Sequence, residues 1–335
     1  MVGIKRPEKY PYMADPQGQP RFTGISTFFR VPHTDDLAAT DIGLIGVPFD
    51  GGVTNRSGAR HGPRGVREQS SLLRRINAAT GVAPFAAARV RDLGDAWIEQ
   101  PYELIGAHRE IQDFFAAITA AGVVPLSVGG DHSISLPILR AVAQQRPVGM
   151  IHIDAHCDTG EDYLGSRFHH GAPFSRAVEE GLLDPTRTIQ IGIRGTTNDP
   201  DMWIFSRRTG MRVLGMDEFQ DKGWNFAMEE ARRVVGTGPV YLTFDIDSLD
   251  PSQAPGTGTP EAGGITMLEA IRLLRGLRGI DFVGGDLVEV APPFDVGTLT
   301  SFNGASILFE MLCLIEEAWR ERPRGAGLGT PAAPE

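Results

Sequence analysis

Between about residue 41 and residue 321, short apolar runs alternate with longer stretches of helical period. That alternation is the mark of parallel strands joined by helical crossovers. Residues 42–47, 123–128, 149–154, 188–193, 212–215, 240–246 and 282–288 read as strands. In most of them apolar residues follow one another instead of alternating, so both faces are expected to be buried. Amphipathic stretches at 102–121, 136–145, 174–181, 200–209, 226–235, 266–277 and 301–321 each have the length of one crossover helix. The expected class is α/β, a mostly parallel central sheet with helices on both faces. No linker, charge block or repeat interrupts 41–321, which reads as a single domain. Residues 1–40 read as an irregular N-terminal arm and 322–335 as a tail with too little apolar surface to order itself.

Composition narrows the function classes. The 335 residues are 41% hydrophobic and 22% charged, which is globular rather than fibrous or disordered. With 32 Lys and Arg against 42 Asp and Glu, the net charge of −10 argues against nucleic acid or an anionic membrane surface as partner and suits a small cationic substrate. Two cysteines, Cys157 and Cys313, are too few for a disulfide framework and point to a reducing cytoplasm. The start of the chain is polar and proline-rich, unlike a secretory signal, and no run reaches the ~18 apolar residues of a membrane helix.

Chemistry concentrates where strands end, the edge at which open α/β sheets bind ligands. Gly-Gly-Asp-His closes one strand at 129–132, and Asp154, His156 and Asp158 close another. Asp245 and Asp247, with Asp250-Pro251 beyond, follow a third, and Glu289 ends a fourth. Carboxylates gathered at one edge repel each other, and a cation is the simplest compensation. At spacings of two, Asp154, His156 and Asp158 share a direction if the chain stays extended, as do Asp245 and Asp247. With His132 this makes two histidines and four carboxylates, suited to two ions with shared ligands, which can hold and deprotonate a water. Mixed carboxylate and imidazole donors favour Mn²⁺ over thiolate-held Zn²⁺, with Ni²⁺ or Co²⁺ as alternatives.

The motifs G-G-D-H at 129–132, D-A-H-C-D at 154–158, H-G-A-P-F at 170–174, F-D-I-D-S-L-D-P at 244–251, G-T-G-T-P-E at 256–261 and E-V-A-P at 289–292 together resemble the ureohydrolase family of arginases and agmatinases. The likeness spans about residues 24–318. S-G-A-R-H-G-P at 57–63 and the G-T-G-T-P-E run are similar to the agmatinase-like branch, and D-A-H-C-D-T-G followed by S-R-F-H-H-G to its guanidinopropionase-like and guanidinobutyrase-like members. The resemblance implies a three-layer α/β/α fold, a binuclear Mn²⁺ centre, hydrolysis of a guanidinium to urea and an amine, and a trimer or hexamer. It assigns one metal to His132, Asp154, Asp158 and Asp245, and the other to Asp154, His156, Asp245 and Asp247. All six positions carry the expected residue types, which argues against a non-catalytic subunit of a hetero-oligomer.

A guanidinium carbon is a poor electrophile, so the nucleophile must be strong, and a metal-held hydroxide fits that need. Asp158 is then expected to accept its proton, Glu289 to hold the guanidinium by charge-assisted hydrogen bonds, and His170 to protonate the leaving amine. His169 is the alternative shuttle. His152 reads as a hydrogen-bonded neighbour of the ligands, Cys157 as a buried structural thiol, and Asp131 and Asp250 as turn or supporting carboxylates. Substrate-tail recognition falls to the loops 159–168 and 196–199, with Tyr163, Arg167, His169 and Asn198 as candidates and Arg194 as a further one. The first loop offers Glu161 and Asp162 against Arg167, so charge alone does not choose between agmatine and a guanidino acid. The branch resemblance favours guanidinopropionate or guanidinobutyrate, ahead of agmatine, guanidine, N-alkylated guanidines and biguanides.

Overall fold

Runs of Ile, Leu and Val at the predicted places form strands because their branched side chains pack on a pleated surface. A computed structural model describes residues 20–197 and 203–322. Its strands are β1 (Ile42–Val47), β2 (Val90–Asp95), β3 (Val124–Gly129), β4 (Val148–Ile153), β5 (Leu183–Ile193), β6 (Arg212–Gly215), β7 (Val240–Asp245) and β8 (Phe282–Val288). They form one sheet in the order β2-β1-β3-β8-β7-β4-β5-β6, and every pairing is parallel. The four strands that end in acidic or histidine motifs, β3, β8, β7 and β4, are consecutive neighbours at the centre of this sheet.

The helices are α1 (Gly62–Gln69), α2 (Pro84–Ala87), α3 (Leu104–Ala120), α4 (Ser135–Val142), α5 (Pro173–Glu179), α6 (Ile204–Thr209), α7 (Met216–Val235), α8 (Met267–Gly276) and α9 (Leu299–Glu321). They bury two separate apolar layers. One joins Ile42, Leu126, Ile151 and Leu242 of the strands to α1, α7, α8 and α9. The other joins Ile45, Met150, Tyr241 and Val288 to α3, α4 and α5. The result is the three-layer α/β/α arrangement. Helix α9 is long and apolar enough to cross a membrane, yet most of it is buried inside the protein, where it packs on β8 and α1.

Three departures from the sequence reading have physical causes. Strand β2, V-R-D-L-G-D, lacks an apolar run because it is an edge strand, and its buried Asp92 pairs with Arg67 at 3.0 Å. Helix α7 starts ten residues ahead of the predicted one because Gly223, at φ 83, kinks it and interrupts the helical period. Within the expected arm, residues 20–40 contain no α-helix or strand but are anchored to their own sheet. Phe28 and Phe29 are buried, and the Phe28 N–H donates to Asp92 Oδ2 at 2.8 Å.

Candidate metal centre and substrate cleft

Each candidate ligand sits where a central strand leaves the sheet. After β3 the chain turns at Gly130, φ 33, where a Cβ would lie 2.3 Å from the Phe49 carbonyl oxygen. Only glycine permits that turn, and the turn delivers Asp131 and His132 beneath the site. Asp131 accepts from the N–H groups of Gly52 at 2.7 Å and Ser133 at 2.9 Å, so it supports the turn instead of reaching the ligands. Burial, with Glu289 nearby, pushes its carboxyl up to about 6.

His132 is fully buried, with Nε2 2.8 Å from Thr243 Oγ1. With the Nε2 hydrogen given to Thr243, Nδ1 presents a lone pair toward Asp154 Oδ2 at 3.2 Å, Asp158 Oδ2 at 2.9 Å and Asp245 Oδ2 at 3.2 Å. Nδ1 makes a hydrogen bond to none of them. A buried nitrogen ringed by three carboxylate oxygens and hydrogen-bonded to none is a donor set that fits a cation. A second cluster stands beside it: His156 Nδ1 lies 3.2 Å from Asp247 Oδ2 and 3.5 Å from Asp154 Oδ1. The two clusters share Asp154, one oxygen turned to each.

The electrostatics express the same demand for positive charge. Burial opposes ionisation of Asp154, but His152, His132 and His156 overrule it and hold the carboxyl well below the usual range. Burial and the neighbouring Asp247 and Asp154 push the Asp245 carboxyl well above it. Against burial, the surrounding carboxylates drive His132 and His156 well above the ordinary imidazole value. Two divalent ions satisfy this demand without protons, and the hard oxygen and imidazole donors suit Mn²⁺-like ions.

Beside the clusters, His170 Nδ1 lies 2.9 Å from Glu289 Oε1, and its Nε2 lies 3.2 Å from Thr54 N and 2.9 Å from Thr54 Oγ1. Glu289 Oε1 also accepts the His132 N–H at 2.8 Å, whereas Oε2 is buried without a hydrogen-bond partner. Asp158 and Glu289 both adopt positive φ, 50 and 63, rare for such residues and typical of functional sites. A cleft of about 600 Å³ opens over these groups, walled by Tyr163, His169, Ile204 and Phe205 among others. None of its described walls is Lys or Arg.

The structure thus brings together His132, Asp154, His156, Asp158, His170, Asp245, Asp247 and Glu289, with Tyr163 and His169 on the cleft wall. Arg167 is not brought to the cleft: it is turned to Glu179 at 2.9 Å and half-exposed, because α5 offers it a carboxylate on the outer surface. Arg194 donates to the carbonyls of Asp247, Ser248 and Glu261 and so clamps backbone. Asn198 lies outside the described residues. His152 is hydrogen-bonded to Asp154, and burial pushes the Cys157 thiol up. In the 55–63 loop, Arg56 donates to Thr257 O and Gly258 O, tying it to the G-T-G-T segment. Sequence reasoning missed Thr54, which carries no pattern, and Thr243 and Gln190, whose signal was a polar residue between two apolar neighbours, Leu242 and Phe244 or Ile189 and Ile191.

The Arginase family model matches residues 40–313. The chain belongs to the arginase family. Guanidinopropionase of Pseudomonas aeruginosa is 55% identical to it over 310 residues, 92% of this chain and 97% of that protein. The structure of proclavaminate amidino hydrolase from Streptomyces clavuligerus superposes with a TM-score of 0.86 at 39% identity, covering 90% of this chain and 100% of that one. Formiminoglutamase of Trypanosoma cruzi, in a structure with Mn²⁺, gives a TM-score of 0.75 at 26% identity, covering 87% of this chain and 97% of that one. Family and site together make this arginase-family chain a metal-dependent amidinohydrolase that converts a guanidino compound to urea and an amine. The family centre is binuclear, and the two clusters that share Asp154 fit it.

Proposed function

We propose that the substrate is a short guanidino acid, guanidinopropionate or guanidinobutyrate, cleaved to urea and an amino acid. The observation that carries the reading of the reactive end is Glu289 Oε2, a buried carboxylate oxygen on the cleft wall with no hydrogen-bond partner. A guanidinium brings several N–H donors in one plane, the chemistry that such an oxygen lacks. The likeness to guanidinopropionase supports the acid end. Without Lys or Arg on the described walls, the substrate carboxylate is left to the hydroxyl of Tyr163 and to His169.

When bound, the ions, Mn²⁺ in this reading with Ni²⁺ and Co²⁺ accepting the same donors, neutralise the carboxylates and activate water. His132, Asp154, Asp158 and Asp245 would hold one, and Asp154, His156, Asp245 and Asp247 the other. Glu289 Oε1 is fixed by the His132 N–H and by His170, so Oε2 holds the guanidinium in one orientation. Asp158 accepts a proton at its carboxylate. His170, which Glu289 raises to about 9 against burial, carries a proton at Nε2 for the leaving amine. In the neutral ring Nε2 accepts from Thr54 N, and in the protonated ring it can donate to Thr54 Oγ1.

The reading includes a homo-oligomer, a trimer or hexamer, in the cytoplasm; light scattering that gives a stable monomer would reject the assembly. Urea release from guanidinopropionate, guanidinobutyrate, agmatine and guanidine, with Mn²⁺, Ni²⁺ or Co²⁺ supplied to metal-free protein, tests substrate and metal together. Glu161, also on the cleft wall, favours agmatine as the second reading, because a terminal ammonium would pair with it. A tenfold higher kcat/KM for agmatine than for both acids would establish that second reading instead.

A further inference from the structure

Asp154 must hold both oxygens in fixed directions if it is to be shared by two metals, and its own side chain does not do that. His152 Nε2 lies 2.6 Å from Asp154 Oδ2. The His152 ring is fully buried, 4.5 Å from the Phe174 ring centroid and 5.2 Å from that of His132. Packing limits its tilt but does not say which nitrogen bears the hydrogen.

Gln190 decides that. It sits directly across from His152 in the β4–β5 pairing. Its Nε2 lies 3.1 Å from His152 Nδ1 and 2.5 Å from the Cys157 carbonyl oxygen, while its Oε1 accepts from Ser206 Oγ at 2.7 Å. The opposite amide orientation would face oxygen against the Cys157 carbonyl, so the network fixes the amide. An amide nitrogen only donates, hence His152 Nδ1 accepts and Nε2 bears the hydrogen aimed at Asp154. Ser206 has used its hydrogen on Gln190 and accepts from Thr159 Oγ1 at 3.3 Å. The order Thr159, Ser206, Gln190, His152, Asp154 therefore has every donor pointing toward the metal ligand. All five side chains are buried, so water offers no substitute.

We infer that His152, Gln190 and Ser206 are positioning residues that orient Asp154 for metal binding and tie it to the substrate cleft. The tie is structural: Thr159 lines the cleft, and Ser206 follows Ile204 and Phe205, which line it too. Outer partners of this kind alter metal affinity by about 10- to 100-fold when removed. The inference rests on the metal-centre part of the function proposed above and not on the identity of the substrate.

The test is chelator competition for Mn²⁺ on metal-free protein without substrate, followed by kcat and KM at rising Mn²⁺. Gln190→Leu is expected to weaken Mn²⁺ binding by at least ~10-fold and Ser206→Ala by a few-fold, with kcat restored by excess Mn²⁺ and KM little changed. A merely structural role would lower thermal stability without moving Mn²⁺ affinity. Folded Gln190→Leu that binds Mn²⁺ as the wild type does overturns the inference. If that variant does not fold, Ser206→Ala decides, and unchanged affinity there overturns it. Wild-type protein that binds no Mn²⁺, Ni²⁺ or Co²⁺ would instead sink the metal-centre reading itself, while a full metal complement without urea release would sink only the substrate.

Discussion

His170 Nδ1 and Glu289 Oε1 lie 2.9 Å apart, so the group assigned to the proton and the group assigned to the guanidinium are bonded to each other. The carboxylate raises the imidazole to about 9 in spite of burial. A raised imidazole is protonated below that value and loses its proton as pH rises through it. Proton delivery is therefore expected across the neutral range, with kcat falling above about 9. His170→Asn should lower kcat by ~10² with metal content intact and flatten the alkaline limb. A pH-rate profile and elemental analysis check both. If His169→Asn is the damaging change, the shuttle is the neighbouring histidine.

Asp154 stands in both clusters, whereas Asp247 is grouped with His156 and Asp154 alone. Asp154→Asn should remove most of both metals and abolish turnover, while Asp247→Asn should chiefly affect one. Metal content measured by mass spectrometry distinguishes them, and equal loss in both variants would contradict the sharing. Chelation should lower the melting temperature, because an ion held at 1,000 times its Kd stabilises the fold by about 4 kcal/mol.

The central sheet and the gathering of candidate ligands at its centre were legible because their signals are local. Buried parallel strands are written as apolar runs, and ligands at strand ends as short acidic and histidine motifs. What was not legible depends on contacts distant in sequence. Strand β2 reads as polar because Arg67, 25 residues away, neutralises its Asp92. Arg167 looked available to a substrate because the sequence gives Glu179 a helix but not the turn of the loop that brings Arg167 onto it. Thr54 reaches His170 across 116 residues, with nothing in its own neighbourhood to mark it. Gln190 and Thr243 were visible only as polar residues between apolar neighbours, and such a residue alone does not tell a ligand's partner from a core hydrogen bond.

Gly130 offers a test of how tightly the turn sets His132. A Cβ there meets the carbonyls of Phe49 at 2.3 Å and Val47 at 2.6 Å, neither of which can rotate away. Gly130→Ala is expected to lower stability by at least ~2 kcal/mol and to lose metal, since the backbone that carries His132 must shift. Gly181→Ala is the control: φ there is 72, but nothing lies within 4 Å of the added carbon. It should cost about 1 kcal/mol and leave metal content unchanged. Urea denaturation and metal analysis give both readouts, and equal effects would show that conformational strain, not the clash, is what matters at Gly130.

Substrate-tail recognition separates two residues of one loop. Arg167 is committed to Glu179 on the surface, and an exposed pair of this kind contributes about 0.2–1 kcal/mol. Arg167→Ala should leave KM for guanidinopropionate within about twofold of the wild type and lower stability only slightly. Tyr163, on the cleft wall with its ring 5.7 Å from that of His169, has the hydroxyl that a carboxylate needs. A hydrogen bond to a charged group contributes ~1.5 kcal/mol or more, so Tyr163→Phe should raise KM for the acid by about tenfold and barely change it for guanidine. Steady-state kinetics on the two substrates decide between them. A tenfold rise in KM for the acid alone in Arg167→Ala would mean that Arg167 leaves Glu179 to meet the substrate, and the cleft as described would then be an open form of the loop.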